Sequence, residues 1–148
     1  MAEAFTIVDA LNFIFRAYHA LPPLTTSRGL PTGAVYGLCT MLQKLEREYP
    51  PSHLLAVFDA PGPNFRHEIF TGYKADRPPM PPDLAKQIEI VHRVISAFQI
   101  PTLSIPDVEA DDVIASLAVR AAHEGHKVII ASSDKDLMQL CSQDIQLL

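Results

Sequence analysis

The chain has 148 residues, 48% hydrophobic and 20% charged, which suits one domain with an apolar core. Its net charge of −5 argues at first against a nucleic-acid partner. No apolar stretch approaches the ~20 residues of a membrane-spanning helix, and the N-terminus lacks a basic leader followed by an apolar run, so we expect a cytoplasmic location. Cys39 and Cys141 fit no metal or redox spacing, which also favours a reducing compartment.

Short apolar runs predict buried strands at residues 5–8, 53–58 and 127–131. Each run is continuously apolar rather than alternating, as is typical of parallel strands covered on both faces. Residues 101–105 predict a further short strand, and the closing stretch DIQLL resembles another.

Apolar residues at helical spacing predict helices at residues 31–48, 82–98 and 111–124, with Gly125 as the C-cap of the last. The order β-α-β-α-β-α-β predicts an α/β domain, an open parallel sheet with helices on both faces. Residues 61–82 interrupt this order with six of the chain's 13 prolines. So long and polar a connection predicts a functional or mobile loop.

Acidic residues follow three of the four predicted strands. After the remaining strand, predicted at residues 101–105, acidic residues lie at the start of the next helix. Ligands of open parallel sheets bind at the carboxyl ends of the strands. The sequence therefore predicts one cluster of seven carboxylates, namely Asp9, Asp59, Glu109, Asp111, Asp112, Asp134 and Asp136. Any one of them alone is equally well explained as an N-cap or turn residue. Seven together would raise each other's pKa and destabilise the fold unless a cation lay among them.

The ligand type favours hard divalent ions. Oxygen ligands without His or Cys suit Mg²⁺ or Mn²⁺, and two such ions about 4 Å apart are a common device for in-line attack on a phosphodiester. The sequence contains no GxSxG, Cys–His or P-loop lysine motif that would supply another route.

With the seven acids set aside, ten remain against 12 lysines and arginines, a balance compatible with phosphate-backbone binding. Arg66, Tyr73, Lys74 and Arg77 lie together in the loop, and a basic group beside an aromatic ring is typical of single-strand binding. The alternative is a solvated loop with Tyr73 packed on the core. Arg16 is either a further phosphate contact or a surface helix residue.

Four motifs resemble the 5′ nuclease family, most closely the N-terminal 5′→3′ exonuclease domain of bacterial DNA polymerase I. They are IVDALNFIFRAYHALPPLTTSRGLPTGAVYG, VFDAPGPNFRHEIFTGYKADRPPMP, PDVEADDVIASLA and SSDKDLMQL. The resemblance spans Phe5 to Leu148 and implies a single PIN-like domain over residues 1–148. It also implies a flexible arch at about residues 64–98, through which a 5′ single strand passes.

The resemblance further implies a function: metal-dependent 5′→3′ exonuclease and flap endonuclease cleavage near DNA 5′ ends, with RNA primers as further substrates. It implies that the seven carboxylates bind two Mg²⁺ or Mn²⁺ ions. It assigns phosphate binding to Arg16, Lys74 and Arg77, stacking to Tyr73, and a catalytic role to Lys74.

Three departures from the family pattern bear on this expectation. Ala10 stands where the family usually has glycine, and Ser133 stands where it usually has glycine or alanine. Both changes are mild. The sequence also ends at Leu148, before the family's further acidic motif and its helix-hairpin-helix. We therefore expect either the N-terminal fragment of a DNA polymerase I or a shortened relative, with an incomplete second metal site and low activity of the isolated chain. The alternatives are a PIN-type ribonuclease and a non-catalytic nucleic-acid-binding module.

Overall fold

The computed structural model describes residues 4–50 and 53–148, and its elements alternate between strands and helices. The strands are β1 (Ala4–Asp9), β2 (His53–Val57), β3 (Thr102–Leu103), β4 (Lys127–Ala131) and β5 (Ile145–Leu147). The helices are α1 (Ala10–Ala20), α2 (Gly33–Glu48), α3 (Phe65–Ile69), α4 (Pro82–Ala85), α5 (Ile88–Ala97) and α6 (Ala110–His123), with a 3₁₀ helix at Lys135–Leu140. No helix in these ranges is long and apolar enough to cross a membrane.

The five strands form one sheet in the order β3-β2-β1-β4-β5, and every pairing is parallel. The chain builds outward from β1 to β2 and β3 on one side, then crosses back to β4 and β5 on the other. The connections therefore diverge at the carboxyl end of β1, the kind of switch point where open α/β sheets bind ligands.

Apolar clusters cover both faces of the sheet. Helices α1, α2 and α5 contribute to one, whose fully buried side chains include Ile14, Leu38, Leu42 and Val91. Helix α6 packs on the other face, where Ile7, Val113, Ile114, Val128 and Ile130 are buried. The predicted α/β architecture with helices on both faces is confirmed.

Most of the predicted elements are confirmed. The strands predicted at residues 5–8, 53–58 and 127–131 form the centre of the sheet, and DIQLL contains β5. The strand predicted at 101–105 shortens to the two residues of β3. The C-cap residue of α6 is Glu124 instead of the predicted Gly125, which follows it with a φ of 90°, the left-handed conformation that commonly ends a helix.

Two expectations differ from the structure. The helix predicted at 82–98 divides into α4 and α5, because the chain turns at Lys86 and Gln87. Helix α1 was absent from the predicted order. It begins directly after β1, because Asp9 ends the strand and also caps the helix, accepting a hydrogen bond from the Asn12 amide at 3.4 Å.

Thr6 presents a buried polar atom in the middle of β1. Its side chain is fully buried, and its Oγ1 has no hydrogen-bond partner within residues 4–50 and 53–148. We predict that Thr6→Val raises the free energy of unfolding by about 1 kcal/mol, because valine has the same shape without an unsatisfied hydroxyl. Urea unfolding measures this, with Thr102→Val on the exposed edge strand as the control. A Thr6→Val protein that is less stable than the parent would contradict the prediction.

Candidate functional site

The carboxyl ends of β1, β2 and β4 bring three aspartates to one edge of the sheet. Asp9 is the last residue of β1, Asp59 follows β2 by two residues, and Asp134 follows β4 by three. The amino end of α6 adds Asp111. These four lie near enough for charge repulsion among them to affect the pKa of Asp111.

Asp9 is the most buried of these acids, with 6% of its surface exposed. Its Oδ2 accepts a hydrogen bond from the buried Ser132 hydroxyl at 2.8 Å. Burial raises the pKa of Asp9, the bonds from Ser132 and Asn12 oppose that rise, and the charges of Asp59 and Asp134 add to it. Asp9 is therefore a carboxylate held in a fixed position at an unfavourable site for negative charge.

Asp111 shares a side-chain hydrogen bond with Asp134. Burial is the largest cause that raises the pKa of Asp111 to about 7, followed by its side-chain hydrogen bond to Asp134 and by repulsion from Asp134, Asp9 and Asp59. Burial and the neighbouring acids thus both favour the protonated form of Asp111. This is the expected behaviour of clustered carboxylates that lack a counter-cation.

Glu109 and Asp112 form a second group, in which each carboxylate is paired with a cation. Lys74 Nζ donates to Glu109 Oε1 at 2.7 Å, and Arg66 donates two parallel bonds to Asp112, each at 2.7 Å. The pKa of Asp112 is lowered, chiefly by Arg66. Burial favours a higher pKa for Glu109, but Lys74, Tyr73 and Arg66 outweigh it, and the net shift is downward.

The structure therefore divides the seven predicted carboxylates instead of crowding them into one cluster. Asp9, Asp59 and Asp134 at the strand ends and Asp111 at the start of α6 repel one another. Glu109 and Asp112 are neutralised by Lys74 and Arg66 of the loop. The seventh, Asp136, is exposed on the 3₁₀ helix, where its amide donates to Asp134 Oδ1 at 2.9 Å. It lines a cavity of about 540 Å³ together with Asp111 and Asp112.

The carboxylates at the strand ends offer oxygen donors, the type that hard divalent cations prefer. Asp9 is bonded to Ser132 and Asn12, and Asp59 Oδ1 accepts from the Ala110 amide at 2.8 Å. In this arrangement, no three His, Cys, Asp or Glu side chains across residues 4–50 and 53–148 are gathered closely enough to hold a metal ion.

The predicted basic and aromatic residues lie in different surroundings. Lys74 and Arg66 are committed to the acids of α6, whereas Arg16 and Arg77 are exposed and form no ion pair within the part of the chain that the structure describes. Tyr73 is half-buried, with the Lys74 ammonium 5.1 Å from its ring centre and the His67 ring packed edge-on at 5.4 Å.

Two residues that support the site were not predicted from the sequence. Ser132 bonds Asp9 and also accepts from the Asp134 amide at 3.1 Å, so one hydroxyl joins the ends of β1 and β4. Asn12 Oδ1 accepts from the Ser133 amide at 2.9 Å and so ties α1 to the same loop. The position of Ser132, between a buried strand and the predicted Asp134, was the signal available.

The raised pKa of Asp111 predicts a stability that falls as pH rises. The folded chain keeps a proton that the unfolded chain loses near its ordinary pKa of 3.8, so the free energy of unfolding decreases between about pH 4 and about pH 7. We expect a loss on the order of 1 kcal/mol, because solvent screens a half-exposed group.

Urea unfolding at several pH values in EDTA measures this loss. Asp111→Asn should abolish the part of the pH-dependent decrease in unfolding free energy that Asp111 causes. The lowered pKa values of Glu109 and Asp112 act in a separate window, since the stability they contribute is lost only on acidification below their ordinary values. An identical pH profile for Asp111→Asn and the parent would contradict the prediction.

Comparison with known proteins places this geometry in a family. A family model described as "5'-3' exonuclease, N-terminal resolvase-like domain" matches residues 4–148. DNA polymerase I of Pseudomonas aeruginosa is 50% identical over 141 residues, which are 95% of this chain and 15% of that protein. The 5'-3' exonuclease of Aquifex aeolicus is 45% identical over 139 residues, 94% of this chain and 48% of that protein. The chain thus spans less than half of these relatives.

Solved structures share the fold at lower identity. The T5 D15 protein co-crystallised with metal ions aligns with a TM-score of 0.73 and 21% identity, over 99% of this chain and 55% of that one. A T5 D15 flap endonuclease in a pseudo-enzyme-product complex with DNA and metal ions aligns at 0.70 and 21%, over 99% and 54%. Because the family model covers nearly all of the sequence, the chain belongs to the 5'-3' exonuclease family as an N-terminal resolvase-like domain.

Proposed function

We propose that the chain is the divalent-metal-dependent nuclease domain of a DNA polymerase I, cleaving phosphodiester bonds near DNA 5′ ends as a 5′→3′ exonuclease and flap endonuclease. The observation that carries the proposal is the group of Asp9, Asp59, Asp111 and Asp134 at the carboxyl edge of the sheet. These acids are positioned by the framework of the fold, and burial, the hydrogen bond to Asp134 and repulsion from Asp134, Asp9 and Asp59 together raise the pKa of Asp111 to about 7.

A divalent ion suits this group because it would replace that repulsion with attraction. The donors are all oxygen, which favours Mg²⁺ or Mn²⁺ over zinc. Asp9, Asp59, Asp111 and Asp134 would have to draw closer together than they lie in the structure to hold the first ion, and Asp136 would serve a second one. Bound there, such ions lower the pKa of a coordinated water and stabilise charge on the transferring phosphate. Relatives of the same fold that were crystallised with metal ions support the assignment.

The chain's own residues position the acids and the substrate. Ser132 donates to Asp9 and fixes the direction of that carboxylate. The partly buried ammonium of Lys74 pairs with Glu109. When DNA binds, Lys74 can leave Glu109 and bind a phosphate oxygen instead. Exposed Arg77 and the Tyr73 ring extend this surface outward for a single strand.

A 5′-labelled flap duplex tests the proposal directly. The protein is incubated with it in Mg²⁺, in Mn²⁺ and in EDTA, and the positions of the cuts are read on a sequencing gel. We expect cuts near the base of the flap with either metal and none in EDTA. Equal product in EDTA would overturn the metal mechanism, and tight binding without any cleavage would indicate a non-catalytic binding module. Faster cleavage of single-stranded RNA than of the flap would indicate a ribonuclease.

Lys74 provides a second test through the salt dependence of DNA binding. We predict that Lys74→Ala lowers the slope of log Kobs against log salt by about 0.7–0.9, the amount expected for one lost phosphate contact. Filter binding of a 5′-flap DNA in Ca²⁺ between low and moderate salt measures the slope. Lys44→Ala, exposed on α2, is the matched control. An unchanged slope in Lys74→Ala would show that Lys74 makes no phosphate contact.

A further inference from the structure

The adjacent acids Asp111 and Asp112 face different partners. Successive residues of an α-helix are about 100° apart around its axis, so the two side chains of this pair project in different directions. Asp111 interacts with Asp134, Asp9 and Asp59 at the ends of the strands. Asp112 instead faces the loop after β2 and bonds Arg66.

Both oxygens of Asp112 are already engaged by donors. Oδ1 accepts from Arg66 Nη2 at 2.7 Å, and Oδ2 accepts from Arg66 Nη1 at 2.7 Å. Oδ2 also accepts from the Glu109 amide at 3.0 Å, which completes a capping box at the start of α6. Paired, charge-assisted bonds of this geometry are among the strongest hydrogen bonds in proteins, and with the Glu109 amide they take up most of the lone-pair sites of the carboxylate.

Arg66 belongs to α3, a helix that has little else to hold it. The helix is five residues long and contains no buried residue. Its other ties to the N-terminal region of α6 include an ion pair from Arg66 to Glu109 at 3.6 Å, a backbone bond from Phe65 to Asp107 at 3.0 Å and a bond from Asn64 to Glu109 at 3.3 Å. The Arg66 guanidinium also lies over the Phe65 ring at 4.5 Å. The two parallel hydrogen bonds from Arg66 to Asp112 are therefore the strongest polar tie between α3 and the body of the domain.

We infer that Arg66 and Asp112 are a positioning pair that fixes α3 and Glu109 at the start of α6, and that Asp112 is not a metal ligand and Arg66 not a phosphate contact. The inference rests on the proposed function, because it reassigns two residues of the expected metal and DNA sites. Metal binding then falls to Asp9, Asp59, Asp111 and Asp134, and the pair fixes the start of the loop that follows β2.

Metal affinity separates the two acids. Titration with Mn²⁺ alone, followed by electron paramagnetic resonance of the unbound ion, gives the Kd of each variant. We expect Asp112→Asn to keep the parent Kd within about threefold and Asp111→Asn to weaken it at least about tenfold, since only the latter would lose a ligand. Equal weakening by both substitutions would overturn the inference. If neither substitution changes Mn²⁺ binding, the proposed function fails.

Hydrogen exchange tests the positioning role without reference to metal. We expect Arg66→Gln and Asp112→Asn each to speed exchange of the Phe65 and Phe70 amides at least about tenfold, and the double variant to add little, because both remove the same tie. Arg66→Lys should recover only part of the protection, since an ammonium cannot make two parallel bonds. Arg77→Gln, exposed in the same loop, is the control. Unchanged exchange in Arg66→Gln, with the global unfolding midpoint unaltered, would overturn the inference even if the proposed function stands.

Discussion

Replacement of Asp111 by asparagine is expected to lower the rate of flap cleavage about a thousandfold and to leave DNA affinity within about threefold. Asparagine keeps the size of the side chain and one oxygen donor but removes its charge. The charge matters most in the transition state, where an ion held by Asp111 and its neighbours balances the negative phosphate. Binding depends instead on the cationic loop, which the substitution leaves intact.

The same substitution should stabilise the protein in the absence of metal. The Asp111 carboxylate is destabilised by burial and by repulsion from Asp134, Asp9 and Asp59, and both raise its pKa. A variant that is more stable in EDTA and yet inactive would indicate that the acid is kept for its function at the expense of stability.

Single-turnover cleavage with enzyme in excess measures the chemical step, and fluorescence anisotropy in Ca²⁺ measures affinity. Asp144→Asn is the matched control, because the Asp144 side chain is about half-exposed and bonds Lys127 at the start of β4, the end of that strand opposite to Asp134. A cleavage rate for Asp111→Asn within tenfold of the parent would argue against its role at the reacting centre. A large loss of affinity would show instead that the substitution disturbs the DNA surface.

The sequence predicts the edge of the sheet well because the physical signals there are local. A continuous apolar run followed by an aspartate identifies a buried parallel strand and its end in the same few residues, as at Asp9 and Asp59. In a parallel sheet these ends share one edge whatever the order of the strands. The convergence of Asp9, Asp59 and Asp134 therefore did not depend on knowing the topology.

The division of the acids into two groups was not predictable in the same way. Glu109 and Asp112 receive their cations from Lys74 and Arg66, 35 and 46 residues earlier in the chain. Whether such a loop folds back onto α6 depends on tertiary contacts that no local pattern reveals. The expectation that all seven acids would repel one another rested on their positions at the strand ends and the start of α6. Position along the chain cannot tell a neutralised carboxylate from an isolated one.

The division of the helix predicted at 82–98 has a similar cause. Its apolar spacing is preserved across the break, so periodicity alone predicts one helix. Gln87, at the break, is polar but only 1% exposed. A buried glutamine needs partners, and these lie more than 50 residues away on α2. The sequence showed a polar residue at this point without showing what it bonds.

Gln87 acts as the N-cap of another helix, and its replacement by leucine is expected to lower the free energy of unfolding by about 2–4 kcal/mol. Helix α2 begins after Thr32, whose own side chain makes no capping bond. Gln87 Oε1 accepts instead from the amides of Ala34 and Val35, at 2.9 and 3.2 Å, the two donors that a capping side chain normally satisfies. Leucine would leave both amides without this acceptor.

The loss should be seen as a lower urea midpoint with an unchanged slope, which would place the effect in stability rather than in the compactness of either state. Lys86→Leu introduces the same side chain one residue earlier, at an exposed position, and should change the unfolding free energy by less than about 0.5 kcal/mol. Because Gln87 Nε2 also donates to the Asp83 carbonyl at 3.1 Å, its side chain joins α4, at the end of the loop segment, to α2. Gln87→Leu should therefore speed hydrogen exchange at the first turn of α2 and in α4 more than in β1 or β4. A uniform change across the domain, or a stability equal to that of Lys86→Leu, would contradict the capping role.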